Sequence, residues 1–186
     1  GAYIKSKTIA EKAAWEFLDK ESNNSFKMTT IHPGMVFGPL FSKKTNGASA
    51  SLILNMIRGK YPALPDVHFT VVDVRDVAKL HIQALENIRS DNKRIIATSQ
   101  KGISFLEISN ILRSLGFDKS PKNLIPNQVI NSLAPFNREM RSTASMIKRG
   151  SYDTDISETK SIFNWDQIPL EVTLKDMTKS MQMIDI

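Results

Sequence analysis

Two kinds of hydrophobic pattern alternate along this chain. Short runs rich in β-branched and aromatic residues predict strands, and apolar residues three or four positions apart predict helices. The predicted strands cover residues 26–31, 69–72 and 94–98, and the longer predicted helices cover residues 3–19, 48–58, 77–88, 104–115 and 170–183. The chain is therefore expected to contain both strands and helices.

Several predicted helices have recognisable ends. Ser104 and Glu107 form the pattern of a capping box, and Gly116 is typical of a helix C-terminus. Asp73 and Asp76 stand where a helix begins, so that a carboxylate there can meet free backbone N–H groups and the positive end of the helix dipole. We therefore interpret both aspartates as capping residues rather than catalytic ones.

The remaining segments carry weaker patterns. Residues 117–150 are predicted to be helical and rich in loops, with short helices at 127–133 and 139–148. Another short helix is expected to end near Phe163. A break after the first helix at Asn23–Ser25 and a loop at residues 39–47 follow from their glycine, proline and asparagine content.

Composition limits the possible chemistry. The 186 residues, of which 41% are hydrophobic, suffice for one domain with a core. The absence of cysteine excludes disulfides and thiolate metal sites and suits a reducing cytoplasm. None of His32, His68 and His81 has a partner at metal-ligand spacing, so no metal site is predicted. His81 is expected to be buried, and His32 to be structural rather than catalytic. No signal peptide or long apolar span is visible.

The net charge of +6 indicates a solvated basic surface rather than a nucleic-acid site. Lysines and arginines are spread along the chain and are not interleaved with aromatic residues, as nucleic-acid binding would favour. The densest basic region contains Arg138, Arg141, Lys148 and Arg149. A phosphate-bearing substrate such as a CoA thioester is the alternative interpretation of that region.

The candidate chemistry lies in the first predicted helix. Tyr3 and Lys7 are four positions apart, which places a phenol and an ammonium on one helical face. A neighbouring cation stabilises a phenolate, and such a phenol can donate a proton to a carbonyl oxygen or accept one from an alcohol. The spacing alone also occurs by chance on solvated helices. An apolar stripe accompanies the pair, made of Ala10, Ala13, Ala14, Phe17 and Leu18.

Three ordered segments carry a resemblance to a known family. The run from Tyr3 to Trp15 resembles the catalytic helix of the extended short-chain dehydrogenase/reductases, also called the NAD-dependent epimerase/dehydratase family. His32–Pro39 is similar to the strand-to-loop signature that follows this helix, and Val72–Ala84 to a later helix start. Residues 152–157 and 163–165 match more loosely. The likeness is greatest to the dihydroflavonol reductase, cinnamoyl-CoA reductase and cinnamyl-alcohol dehydrogenase-like branch.

The resemblance implies an α/β fold. It corresponds to the C-terminal portion of a Rossmann-type doubly wound fold, with its last parallel strands, plus a small and mainly helical substrate lobe. Residues 1–40 and 67–98 would belong to the Rossmann part, and residues 41–66 and 99–186 to the substrate lobe and C-terminal helices. No Gly-x-x-Gly-x-x-Gly loop occurs in the sequence, so the dinucleotide-binding half is expected to precede residue 1.

The resemblance also implies roles. Tyr3 would donate the proton to the substrate carbonyl. Lys7 would tune Tyr3 as an acid and hydrogen-bond the nicotinamide ribose. The backbone at Pro33, Met35 and Val36 would line the nicotinamide ring of NAD or NADP.

The implied function is an NAD(P)-dependent carbonyl reductase or alcohol dehydrogenase. Its partner would be a small-molecule aldehyde, ketone, alcohol or acyl-CoA-type substrate, with no nucleic acid and no membrane, and the protein could form a homo-oligomer. One alternative is a sugar-nucleotide epimerase or dehydratase of the same superfamily. The other is an inactive truncated fragment that acts as an interaction domain. The sequence does not distinguish NAD from NADP.

Overall fold

The computed structural model describes residues 2–20, 26–43 and 47–185. The predicted break at Asn23–Ser25 and residues 44–46 of the predicted loop lie outside them. Among the described residues, the short strands lie between Thr30 and Ser104, and the elements that follow them are helices. In chain order the elements are α1 (Ala2–Lys20), β1 (Thr30–Pro33), β2 (Met35–Phe37), α2 (Ala48–Ile57), β3 (His68–Phe69), β4 (Val71–Asp73), α3 (Val74–Glu86), β5 (Arg94–Ala97), β6 (Ile103–Ser104), α4 (Phe105–Ser114), α5 (Asn127–Leu133), α6 (Arg138–Arg149), α7 (Ser157–Phe163) and α8 (Leu170–Met183).

Parallel strand pairs form the centre of the fold. Strand β1 pairs with β5, and β2 pairs with β4, in both cases parallel. Strands β3 and β6 form a small antiparallel pair. The mixed α/β class with parallel strands is thereby confirmed.

Gly34 is the point where the chain changes its sheet partner. Its N–H donates to the Ala97 carbonyl at 3.0 Å, while the next N–H, of Met35, donates to the Thr70 carbonyl at 2.8 Å. A Cβ at position 34 would lie 2.5 Å from the Thr70 oxygen and would also overlap the Thr98 hydroxyl. The close approach of these backbones therefore requires glycine between β1 and β2.

Two predicted strands have different limits in the structure. The strand predicted at residues 26–31 forms only from Thr30 to Pro33, because its ladder with β5 starts at the Thr30–Arg94 pair. The strand predicted at residues 69–72 is divided into β3 and β4, which pair with different neighbours. In both cases the partner strand sets the boundary.

Two hydrophobic clusters form the core. One joins β2 and β4 to helices α2, α4 and α8, with Ile53, Met56, Leu112 and Leu174 fully buried. The other surrounds β5 and brings together α3 and α7, and it includes the buried Trp165. The apolar residues that recur at helical spacing in α2, α4 and α8 are those that face inward in this packing.

Helix α1 buries less than its pattern predicts. Leu18 is its one buried residue within the described part of the chain, while Ala10, Ala13 and Phe17 of the predicted stripe are exposed. The stripe is apolar, but the described elements do not cover it.

Helix α3 also buries fewer residues than its sequence pattern predicts. The expected burial of His81 is wrong: the residue is exposed, and its Nδ1 lies 2.7 Å from the Val77 carbonyl oxygen. Leu85 lies on the apolar face of the helical pattern but is 89% exposed, and Ile88 beyond the helix is 82% exposed. Of the residues on this apolar face, Leu80 alone is fully buried. The reason is that the second core cluster contacts α3 at Leu80 and at its half-buried neighbours and does not extend to the rest of the face.

The predicted caps are present with one change of role. Ser104 and Glu107 form a complete capping box at the start of α4. Asp73 caps α3 by accepting a hydrogen bond from the Arg75 N–H at 2.8 Å. Asp76 is buried and accepts from the Ile168 N–H at 2.9 Å, so it holds the segment before α8 rather than capping α3.

Asp73 also joins α3 to α8. The Arg75 guanidinium donates to both Asp73 oxygens, at 2.9 Å and 2.8 Å, and to Asp176 Oδ2 at 2.7 Å. Thr173 Oγ1 donates to Asp73 at 2.8 Å. Burial opposes ionisation of Asp73, but the hydrogen bonds from Arg75 and Thr173 outweigh it and hold the pKa of this carboxyl below its usual value.

Candidate functional site

Tyr3 and Lys7 lie on one face of α1, as predicted. The Lys7 ammonium nitrogen lies 5.8 Å from the centroid of the Tyr3 ring, within the range of a cation–π contact. Tyr3 is 74% exposed. Because the pair faces open space, both polar groups are available to a bound molecule.

The pair lines a cleft of about 670 Å³ between α1 and the sheet. We call it the α1 cleft. It brings Tyr3 and Lys7 together with Pro33 at the end of β1. Met35 and Val36, predicted beside the same ring, lie elsewhere: Met35 packs against the first core cluster, and Val36 lines a separate cavity. The structure thus places three of the five predicted site residues around one space.

Glu11 is a cleft residue that sequence reasoning missed. Its Oε1 accepts from Arg94 Nε of β5 at 2.7 Å, and its Oε2 accepts from Arg94 Nη2 at 3.2 Å. Its Oε1 also accepts from Trp15 Nε1 at 3.3 Å and lies 3.1 Å from His32 Nε2. Through these contacts Glu11 connects α1, the helix that carries Tyr3, to both strands of the β1–β5 pair. Glu11 follows Lys7 by four residues, so the sequence could have placed it on the same helical face as the Tyr3–Lys7 pair.

The electrostatics of Glu11 follow from these contacts. The hydrogen bond from Arg94 is the largest influence and, against the opposing effect of burial, lowers the pKa of Glu11 to about 2 from 4.5. A carboxyl whose pKa is lower in the folded than in the unfolded protein stabilises the folded state. This stabilisation is complete at pH values above the pKa of the unfolded state, and it is lost as the pH falls to the pKa of the folded state.

We therefore predict an acid-sensitive contribution from Glu11. Between pH 4.5 and about 2, the free energy of unfolding should fall more steeply in the wild type than in Arg94→Gln. Urea unfolding at a series of pH values measures this difference. Arg58→Gln, which removes an exposed guanidinium outside the α1 cleft, should keep the wild-type slope. Equal slopes for Arg94→Gln and the wild type would contradict the ion pair.

Two of the three histidines, His32 and His81, make close structural contacts, whereas the buried Nδ1 of His68 has no hydrogen-bond partner among the described residues. His32 Nε2 lies 3.0 Å from Thr30 Oγ1 as well as near Glu11, which agrees with the structural role expected for it. His68 Nδ1 lies 3.9 Å from Asp66 Oδ1. Within residues 2–20, 26–43 and 47–185, no group of three or more histidines and carboxylates is placed to hold a metal ion. In the same residues, no helix combines the length and apolar character needed to cross a bilayer.

Comparisons with known proteins show what this chain is similar to. No protein-family profile matches the chain. Cinnamoyl-CoA reductase CAD2 of Medicago truncatula is 40% identical over 113 residues, which cover 61% of this chain and 32% of that protein. The NADPH-dependent methylglyoxal reductase GRE2 of Saccharomyces cerevisiae is 35% identical over 106 residues, which cover 54% of this chain and 31% of that protein.

A solved structure extends the likeness to almost the whole chain. The crystal structure of Gre2 from Candida albicans in complex with NADPH matches with a TM-score of 0.73 and 27% identity, covering 97% of this chain and 51% of that one. This chain thus spans about half the length of the solved relative.

These matches show which class of proteins this chain is similar to. The chain is a homologue of reductases of the extended short-chain dehydrogenase/reductase family, and it corresponds to roughly their C-terminal half. The expected resemblance and the expected fold class are both confirmed.

Proposed function

We propose that this chain forms the catalytic-helix and substrate-lobe part of an NADPH-dependent carbonyl reductase. The observation that carries the proposal is the Tyr3–Lys7 pair, on one helical face and open to the α1 cleft. The relatives named as cinnamoyl-CoA and methylglyoxal reductases support a substrate with an aldehyde, ketone or activated acyl carbon. The activity is proposed for the full natural polypeptide that contains this chain.

The donors in the α1 cleft fit the nicotinamide end of the cofactor. Lys7 makes no ion pair with the described carboxylates, so its ammonium can donate to the hydroxyl groups of a ribose. Pro33, at the end of a parallel strand, stands where ligands bind in open α/β sheets. Met35 and Val36 follow Pro33 in the chain and do not line the α1 cleft, but we propose that their backbone forms further contacts with the ring. When bound, the nicotinamide supplies the hydride.

The chain itself supplies the proton. The Tyr3 hydroxyl would donate it to the carbonyl oxygen as charge develops there, and would accept it during alcohol oxidation. Lys7 would favour both events by stabilising the phenolate and by fixing the ribose. The Glu11–Arg94 ion pair keeps α1, and therefore Tyr3, in place against the sheet.

Other expectations remain predictions. We propose that residues 1–40 and 67–98 belong to the Rossmann part and residues 41–66 and 99–186 to the substrate lobe and C-terminal helices. A cytoplasmic location and a homo-oligomeric state also remain predictions.

Replacing Lys7 tests the proposed function. Lys7→Met keeps the stem of the side chain but removes the donor, so we expect the Kd for NADPH to rise about tenfold, the equivalent of roughly 1.4 kcal/mol, and kcat to fall. Fluorescence titration measures the Kd in the full natural polypeptide. Lys5→Met is the matched control, since Lys5 lies on the same helix outside the α1 cleft. Wild-type binding and turnover in Lys7→Met would contradict the assignment.

A further inference from the structure

Helix α6 presents a polar stripe that the proposed reaction does not use. Arg138, Ser142, Ser145 and Arg149 follow one another at intervals of four, three and four residues, so they share one face. All four side chains are exposed. The regular spacing gives this face two guanidinium groups at its ends and two hydroxyl groups between them.

This face and the start of α1 enclose a cleft of about 610 Å³. We call it the arginine cleft. Tyr3 and Ile4 form its wall on α1, and Met146 adds an apolar surface on α6. Tyr3 and Ile4 also line the α1 cleft. The proposed proton donor therefore stands between the two clefts and is accessible from both.

The arginines differ in how they are held. The Arg141 guanidinium donates to the Ala134 carbonyl at 3.3 Å and to the Pro135 carbonyl at 2.9 Å, which fixes it at the end of α5. Arg138 and Arg149 have no ion pair or side-chain hydrogen bond with any residue the structure describes. Glu139, the acidic residue of α6, does not line the cleft.

A cleft of this composition selects a particular kind of ligand. Guanidinium groups without partners match the geometry of carboxylate and phosphate oxygens and can bind them with two parallel hydrogen bonds. Ile4 and Met146 offer contacts to the carbon skeleton between that anion and the group that meets Tyr3. The ligand expected here has an anionic end and an apolar middle.

We propose that the arginine cleft binds the anionic end, carboxylate or phosphate, of the carbonyl substrate, with Arg138 and Arg149 as its contacts. This inference rests on the proposed function for the position of the carbonyl at Tyr3. It makes Arg138 and Arg149 specificity-determining residues: they would select among carbonyl compounds by the charge at the far end.

A binding experiment tests the cleft independently of catalysis. Inorganic pyrophosphate is titrated into the purified protein and followed by calorimetry. We expect Arg138→Gln and Arg149→Gln each to weaken binding about tenfold. Lys148→Gln, which removes a charge from the same helix but outside the cleft, should change it less than about twofold. Equal effects of all three substitutions, or no binding by the wild type, would overturn the proposal.

A kinetic experiment distinguishes the substrate from the cofactor as the source of the anion. In the full natural polypeptide, Arg149→Gln should raise KM about tenfold for 4-carboxybenzaldehyde and less than about twofold for its neutral methyl ester, with the Kd for NADPH unchanged. A raised Kd for NADPH, or equal changes for both aldehydes, would overturn the assignment to the substrate. If neither aldehyde is reduced by the wild type, the proposed function fails, whereas the pyrophosphate titration still decides whether the cleft binds anions.

Discussion

Tyr3→Phe is expected to lower kcat roughly 10²- to 10⁴-fold in the full natural polypeptide. The substitution keeps the ring, and with it the surface that the Lys7 ammonium contacts at 5.8 Å, but it removes the hydroxyl that would protonate the carbonyl oxygen. Because the hydroxyl acts in the chemical step, the Kd for NADPH should stay near the wild-type value. Steady-state kinetics with a reducible aldehyde and a fluorescence titration measure the two quantities.

Tyr152→Phe is the matched control for this prediction. The substitution also removes a phenolic hydroxyl, but Tyr152 lies outside both clefts that Tyr3 lines. The kcat of the Tyr152→Phe protein should therefore remain near that of the wild type. A Tyr3→Phe protein with normal kcat would show that the proton comes from another group. An equal loss in Tyr152→Phe would point to a general effect on the fold.

Asp73→Ala is expected to lower the free energy of unfolding by about 2–3 kcal/mol. The change removes the cap of α3 and leaves the Arg75 guanidinium and the buried Thr173 hydroxyl without their shared acceptor. The Asp73 side chain has no exposed surface, whereas the Arg75 side chain is 40% exposed and keeps its hydrogen bond to Asp176. The loss should therefore come mainly from the helix cap and from the buried Thr173 hydroxyl. Urea unfolding followed by circular dichroism measures the loss.

The control for the Asp73 prediction is another aspartate. Asp166→Ala removes an exposed carboxylate and should change the free energy of unfolding by no more than about 0.5 kcal/mol. A loss below about 1 kcal/mol in Asp73→Ala would mean that the junction between α3 and α8 depends on apolar packing rather than on this network.

Features set by neighbouring residues were predictable from the sequence. The limits of α5 and α8 agree with the predicted 127–133 and 170–183, since local patterns and nearby prolines define them. The capping box at Ser104 and Glu107 is likewise a local signal. The shared face of Tyr3 and Lys7 follows from helical geometry alone.

Features set by distant partners were not predictable. Strand β1 begins at Thr30 because Arg94, more than sixty residues away, begins its partner. An apolar pattern shows which face of a helix is hydrophobic but not whether another element covers it, and Leu85 is exposed for that reason. The contacts of Glu11 with Arg94 and the position of Arg149 opposite Tyr3 also depend on how distant segments pack.

A single-turnover measurement of hydride transfer tests the central claim most directly. The full natural polypeptide is mixed with NADPH deuterated at the transferred position and with an aldehyde, and the alcohol is analysed by mass spectrometry. We predict deuterium on the carbinol carbon in the wild type. In Tyr3→Phe, which still binds NADPH, we predict a transfer rate lower by a factor of about 100 or more. Alcohol without deuterium, or equal transfer rates in both proteins, would contradict the account of Tyr3 as the proton donor of a nicotinamide-dependent reductase.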